Sequence, residues 1–194
     1  AVSLGPDRLQ KVIREALAKG ADRAIHIQMD TEGLIDPLVT ASHFAHALKE
    51  ENFDLIFTGL QSDDLGMGQT GIILGEMLGM ATASLAMATE LGDGKIKVKR
   101  ELEAGWFQWV SLTLPASVSI QSGLNTPRYP SLKGIMGAKR KELKVVTPNL
   151  VDATQSLERV YLPKSEKQTV MIEGSADQIV EKLVETFSNE IKVL

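Results

Sequence analysis

The segment that most constrains this chain runs from Asp54 to Leu78. Asp54-Leu55-Ile56-Phe57-Thr58 has the near-continuous apolar character of a strand buried on both faces. It passes directly into Gly59-Leu60-Gln61-Ser62-Asp63-Asp64-Leu65-Gly66-Met67-Gly68-Gln69-Thr70, and a helical pattern then spans about Gly68 to Leu78. A buried strand that turns through a glycine-rich loop into a helix calls for a parallel sheet covered by helices. Glycines let such a loop turn tightly and approach a ligand. The N–H groups of Gly68, Gln69 and Thr70, with the Thr70 hydroxyl, suit a phosphate at a helix start. The Gly-Lys-Ser/Thr of a P-loop is absent, and so is the Gly-x-Gly-x-x-Gly spacing of a dinucleotide fingerprint. The residues alone therefore leave two readings open: a nucleotide site, or a plain strand-to-helix turn. Asp63 and Asp64 are adjacent and do not face one another, so a turn or ribose-binding role suits them better than acid–base catalysis.

The flanking sequence repeats the alternation. Pro6 opens a helical pattern carried by Leu9, Val12, Ile13, Ala16 and Leu17 and stopped at Gly20. Ala24-Ile25-His26-Ile27 reads as a short buried strand, and Pro37 to Lys49 as a helix. The character changes after Leu78. Thr82–Glu90 reads as a strand, Gly92-Asp93-Gly94 as a hairpin turn, and Lys95–Glu101 as a half-buried strand with strict alternation. Trp106–Leu114 and Ala116–Gln121 are further strands. The predicted fold class is α/β: a doubly wound, largely parallel sheet with added antiparallel strands, then a C-terminal arm ending in a helix. Residues 1–146 form the α/β domain, and 147–194 an arm whose final helix is capped by Ser175 and striped by Ile179, Leu183, Val184 and Phe187. Val2-Ser3-Leu4-Gly5 reads like a strand within a fold already under way, so a portion before Ala1 is expected.

Composition narrows the function. The 194 residues carry a net charge of −4, which argues against nucleic-acid binding. Cysteine is absent, which removes disulfides and thiolate chemistry. The three histidines do not make a metal cluster, although His43 and His46 lie three apart. There is no Gly-x-Ser-x-Gly nucleophile elbow, no catalytic constellation and no apolar run of bilayer length. Gly123–Lys141 is basic, with Arg128, Lys133, Lys139, Arg140 and Lys141 among Tyr129, Leu132, Ile135 and Met136. It reads as a solvated loop around a short core helix, or as a docking surface with an apolar anchor and a basic rim.

Several motifs in order resemble one family. They are Val2-Ser3-Leu4-Gly5-Pro6, Ala18–Ala24, Asp54–Gln61 with Gly68–Gly71, Arg100-Glu101-x-x-x-Gly105, Leu114-Pro115-Ala116, and Asn125-x-Pro127-Arg128-Tyr129. Together they resemble the electron transfer flavoprotein β subunit, nearly end to end. That resemblance implies an adenine-nucleotide hydrolase-like sheet in a heterodimer whose redox FAD lies mainly on the α subunit. It implies a structural AMP on this chain, embraced by Gly59, Leu60, Gln61, Ser62, Asp63, Asp64, Gly66, Met67, Gly68, Gln69 and Thr70, with Leu4 beside the adenosine. It places Arg128, Tyr129, Leu132, Ile135 and Met136 in the segment that docks dehydrogenases, with Leu132 as anchor, and Glu101 near the flavin domain. The arm would wrap around α.

The same resemblance implies an electron carrier rather than an enzyme. A membrane-associated quinone oxidoreductase would take the electrons, and the location would be the cytoplasm or the mitochondrial matrix. Bifurcating relatives hold a second FAD in place of AMP. The family also has a strand–helix–strand portion ahead of Val2. Rival readings from the fold are a hydrolase-like enzyme and a nucleotide-binding stress protein.

Overall fold

The computed structural model describes residues 1–30, 36–148, 151–162 and 169–193. The chain divides into two compact units, Ala1–Glu158 and Arg159–Leu194.

The first unit is built on parallel strands. β1 (Val2–Gly5) pairs with β2 (Ala24–Gln28), and β2 pairs with β8 (Leu143–Val146). In β2, Ala24 to Ile27 are all buried, as a strand covered on both faces requires. A second sheet has the order β3-β7-β4-β5-β6. In it β3 (Leu55–Gly59), β7 (Ala116–Ile120) and β4 (Ala81–Gly92) are mutually parallel. β5 (Lys95–Glu101) and β6 (Phe107–Thr113) extend the sheet antiparallel. The alternation in β5 resolves as expected: Ile96 and Val98 are buried, Lys95 and Lys97 exposed.

The expected parallel sheet and antiparallel addition are both present, but the hydrogen-bonded ladder is broken in two. Among the described residues β1 and β3 each have one strand neighbour. Between them runs an apolar groove of 520 Å³ lined by Val2, Phe44, Leu48, Ile56, Phe57 and Leu74. β8, which closes the other side of β2, is a parallel strand just beyond the basic Gly123–Lys141 segment that the sequence reading does not assign.

Helices cover the sheets. A 3₁₀ turn at Asp7–Leu9 leads into α1 (Gln10–Ala18), whose Ile13 and Leu17 are buried. α2 (Pro37–Leu48) begins as its sequence dictates: proline sits at the first position, and Asp36 caps it by accepting from Leu38 N at 2.8 Å. α3 (Thr70–Met77) lies close on the second sheet, because glycines face that sheet. A Cβ on Gly75 would fall 2.5 Å from Thr82 Cγ2 and 2.8 Å from Ser117 Cβ, and one on Gly71 would collide with Thr58. Ser117 Oγ also donates to the Gly71 carbonyl at 3.0 Å. These contacts fix the start of α3 on the ends of β3 and β7. α4 (Leu132–Ala138), capped by Ser131, packs on α1.

Residues 151–158 belong to the first unit. Asp36, 3% exposed, accepts from Thr154 N at 2.7 Å, Thr154 Oγ1 at 2.5 Å and Gln155 N at 3.2 Å. These bonds, led by the Thr154 hydroxyl, hold its carboxyl below the ordinary aspartate value. In the second unit α5 (Ala176–Glu185) opens with a full capping box between Ser175 and Gln178 and continues as a π-helical turn over Thr186–Ile191. Val180, Val184 and Ile191 remain exposed on it.

Candidate functional site

The Gly59–Thr70 loop leaves the end of β3 and closes on the start of α3. Ser62–Leu65 is a tight turn: Gly66 N donates to Ser62 O at 2.9 Å, and Leu65 N to Ser62 Oγ at 3.2 Å. Gly66 and Gly68 have φ of +60° and +64°, a backbone that disfavours other residues. The result is a cavity of 420 Å³. Gly59, Leu60, Gln61, Ser62, Met67, Gly68, Gln69 and Thr70 line it, all from the predicted set. Asp63, Asp64 and Gly66 do not; they sit on the outer, exposed side of the turn. Leu4 does not line it either, and packs instead against the cluster of Ile25, Ile27, Ala41, Leu48 and Leu74.

The cavity has walls that sequence reasoning missed. Leu65 contributes from the loop, and Pro37 and Thr40 from the first turn of α2. The sequence predicts a helix from Pro37 to Lys49, but nothing local ties that helix to a loop more than 20 residues on.

The physical character of the cavity is clear. Ile72 and Ile73 are the first amides of α3 to bond back, both to Gln69 O, at 3.1 and 3.0 Å. Helix geometry leaves the N–H groups ahead of them pointing out of the helix end. A Cβ on Gly68 would sit 3.4 Å from Gln61 Oε1 and 3.8 Å from Leu60 O, so glycine keeps this wall open. The fit to a phosphate-bearing nucleotide is good: free amides, a hydroxyl at Thr70, a helix N-terminus, and no bulk where the ligand must approach.

The histidines stay apart from this cavity. His26 is fully buried in β2 with Nε2 2.9 Å from Gly5 O. His43 is buried on α2, where burial, reinforced by His46, lowers its pKa. Among the described residues no three His, Asp or Glu side chains converge as for a metal, and no helix is long and apolar enough to cross a membrane.

The basic segment holds a short helix, α4, with Ala138 buried and most of its other residues exposed. Ser131 Oγ accepts from Gly134 N at 3.1 Å, and the chain enters α4. Leu132 occupies its first position, 75% exposed, beside Tyr129 at 94% and Met136 at 65%. Two cations bolt this segment to α1. Arg14 Nη1 donates to Ala138 O at 2.7 Å and to Lys141 O at 2.8 Å. Lys141 Nζ donates to Leu17 O at 3.0 Å and Ala21 O at 2.5 Å. Gly134 lets the helices touch, since a Cβ there would collide with the Ala18 carbonyl oxygen. Glu101, at the end of β5, accepts from Gln121 Nε2 at 3.1 Å and lines a separate hollow with Leu85, Leu102, Glu103 and the exposed Trp106.

The family model described as "Electron transfer flavoprotein domain" matches residues 1–151. "Electron transfer flavoprotein subunit beta" of Methylophilus methylotrophus is 37% identical over 98% of this chain and 76% of its own length. The proteins of the same description from Syntrophomonas wolfei and Homo sapiens are 35% and 37% identical, over 99% and 95% of this chain and 75% and 74% of theirs. A family model spanning most of the chain, and relatives of this identity across nearly all of it, lead to one conclusion: the chain belongs to the electron transfer flavoprotein family.

Proposed function

We propose that the chain is the β subunit of a heterodimeric electron transfer flavoprotein. On this reading it holds an AMP, docks on an FAD-bearing α subunit, and presents Arg128–Lys141 to partner dehydrogenases. A membrane-associated quinone oxidoreductase would receive the electrons, in the cytoplasm or the mitochondrial matrix. The observation that carries it is the cavity between the Gly59–Thr70 loop and the first turn of α2, with α3 opening onto it.

Each residue has a physical task in this reading. The open amides before Ile72 and the Thr70 hydroxyl hold the phosphate. Gly68 gives it room, and Gln61 and Thr40 offer polar groups to the nucleoside. Asp63 and Asp64 shape the turn from outside. The FAD, when bound on α, supplies the electron-accepting chemistry, and this chain contributes binding surface and rigidity. Glu101 and its hollow, beside Trp106, would face the flavin-bearing domain. Leu132 projects as an apolar anchor from a helix that two cations hold in place, so little ordering cost remains to be met on docking.

A second reading puts another FAD in the AMP cavity. The test is to co-purify the chain with its α subunit, denature the complex, and identify released nucleotides by mass spectrometry. One FAD and one AMP per heterodimer supports the proposal. Two FAD and no AMP moves the protein to the bifurcating class, and absence of both refutes the reading.

A further inference from the structure

We propose that α1 is a second wall of the docking surface, and that the groove between α1 and α4 receives an apolar side chain ringed by carboxylates from the protein that Leu132 enters. The inference rests on the docking role proposed above and extends it to residues outside Arg128–Lys141.

The groove has a volume of 760 Å³. Ala18 of α1 and Ile135 and Ala138 of α4 give it an apolar floor. Lys11 and Lys19 stand along one side and Lys139 on the other, all three exposed. Arg14 also lines it, but its guanidinium is committed to the Ala138 and Lys141 carbonyls. The one acid in the lining is Glu15. Exposed Lys133 and Arg140 on and after α4 add to the positive field. This cluster sits in a chain whose net charge is −4, so the charge is segregated here, against the sign of the whole. A groove with an apolar floor and a cationic rim is complementary to a side chain such as leucine or phenylalanine flanked by Asp or Glu. Lysine stems can lie over the apolar contact while their ammonium groups meet the carboxylates. Such a rim acts mainly on association rate and on partner choice.

Tyr129 and Pro130 complete the lining, and Leu132 and Met136, which do not line the groove, project outward from α4. Knob and hole are thus side by side on one rigid support, and both are set by the contact at Gly134. A partner that accepts Leu132 has to lay its adjoining surface over α1. An anionic lipid surface would also be drawn by the lysines, but it gives no use to an apolar socket beside a projecting apolar knob.

The experiment uses the purified heterodimer and, as probe, a flavin-dependent dehydrogenase of the same organism that reduces the wild-type heterodimer. Electron transfer is followed against heterodimer concentration and ionic strength. Lys11→Glu with Lys19→Glu should raise KM about tenfold at low salt, leave kcat within about twofold, and flatten the salt dependence. Glu15→Lys should lower KM, an effect that misfolding does not mimic. Leu132→Ala is run in parallel. If Leu132→Ala raises KM while the α1 variants change neither KM nor the salt slope, the inference is overturned and the docking role stands. If Leu132→Ala also changes nothing, the docking role falls and takes the inference with it. If the double variant instead abolishes binding to vesicles containing phosphatidylserine while KM is unmoved, the occupant is a membrane and the proposal is wrong.

Discussion

Gly134 and Gly137 lie in the same short helix, yet replacing each with alanine should move stability in opposite directions. Inside a helix alanine is about 1 kcal/mol better than glycine. At Gly137 an added Cβ meets nothing within 4 Å, so Gly137→Ala should be neutral or stabilise by up to about 1 kcal/mol. At Gly134 the Cβ falls against the Ala18 carbonyl oxygen and 3.3 Å from Ser131 Oγ. Neither neighbour can give easily, because one is backbone and the other caps the helix. α4 must therefore back away from α1. The overpacking alone costs about 1–3 kcal/mol. The same movement lengthens the two Arg14 bonds, each of a kind contributing about 1.5–3 kcal/mol when intact, and weakening them adds about 1 kcal/mol more. Against these stands the propensity gain, leaving a net loss of about 2 kcal/mol. For a domain of this size each kcal/mol moves the melting temperature by about 2–4 °C. Calorimetry on the purified protein should show Gly134→Ala melting about 4–8 °C lower and Gly137→Ala level or higher. A higher melting temperature for Gly134→Ala would mean that propensity outweighs the contact, and would refute the close seating of α4 on α1.

Three further outcomes are expected. Gly68→Val, which puts a branched side chain toward Gln61 and strains a backbone at φ +64°, should strip the adenine nucleotide from the purified heterodimer; undiminished nucleotide content by mass spectrometry contradicts the site. Asp36 is ionised more readily in the folded protein than unfolded, so its bonds stabilise the attachment of residues 151–158 above the ordinary aspartate range, and that contribution is lost as pH falls through the lowered pKa. Amide exchange at Thr154 and Gln155 should therefore accelerate, relative to β2, below about pH 4, and Asp36→Ala should abolish their protection at neutral pH; exchange that tracks β2 throughout argues against the latch. Gly75→Ala should destabilise by about 1–2 kcal/mol despite its helical propensity, since Ser117 Cβ would stand 2.8 Å away; a stabilised variant would show that α3 sits farther from the sheet.

What the sequence makes legible is what depends on near neighbours. The largely apolar runs of β2 and β3, the alternation of β5 and the helix start at Pro37 are each written within a few residues, and the structure forms each element there. β3, however, is an edge strand with one strand neighbour among the described residues, and it leaves Phe57 half exposed instead of being buried on both faces. β8 was not legible, because Leu143-Lys144-Val145-Val146 is short and carries a lysine. What makes it a strand is its register on β2, with Leu143 opposite Ala24, far away in the chain. The loop half of the cavity was legible for the same local reason, and the Pro37 and Thr40 half was not. Their α2 periodicity is complete without any reference to a ligand.

The glycines carry the less visible part of the design. Read along the sequence, Gly71, Gly75 and Gly134 are weak points in helices, each costing about 1 kcal/mol relative to alanine. Read across the packing, each is the place where a helix comes down on its support: Thr58, Ser117 and Thr82 under α3, Ala18 under α4. The first contacts set where the amides at the head of α3 point, and the last sets how Leu132 and the cationic groove are presented. Intrinsic helix stability is given up at the positions where the binding surfaces are aimed, and the sheet and α1 restore it by close packing. Propensity alone would move these residues toward alanine. The geometry of both sites requires that they stay glycine.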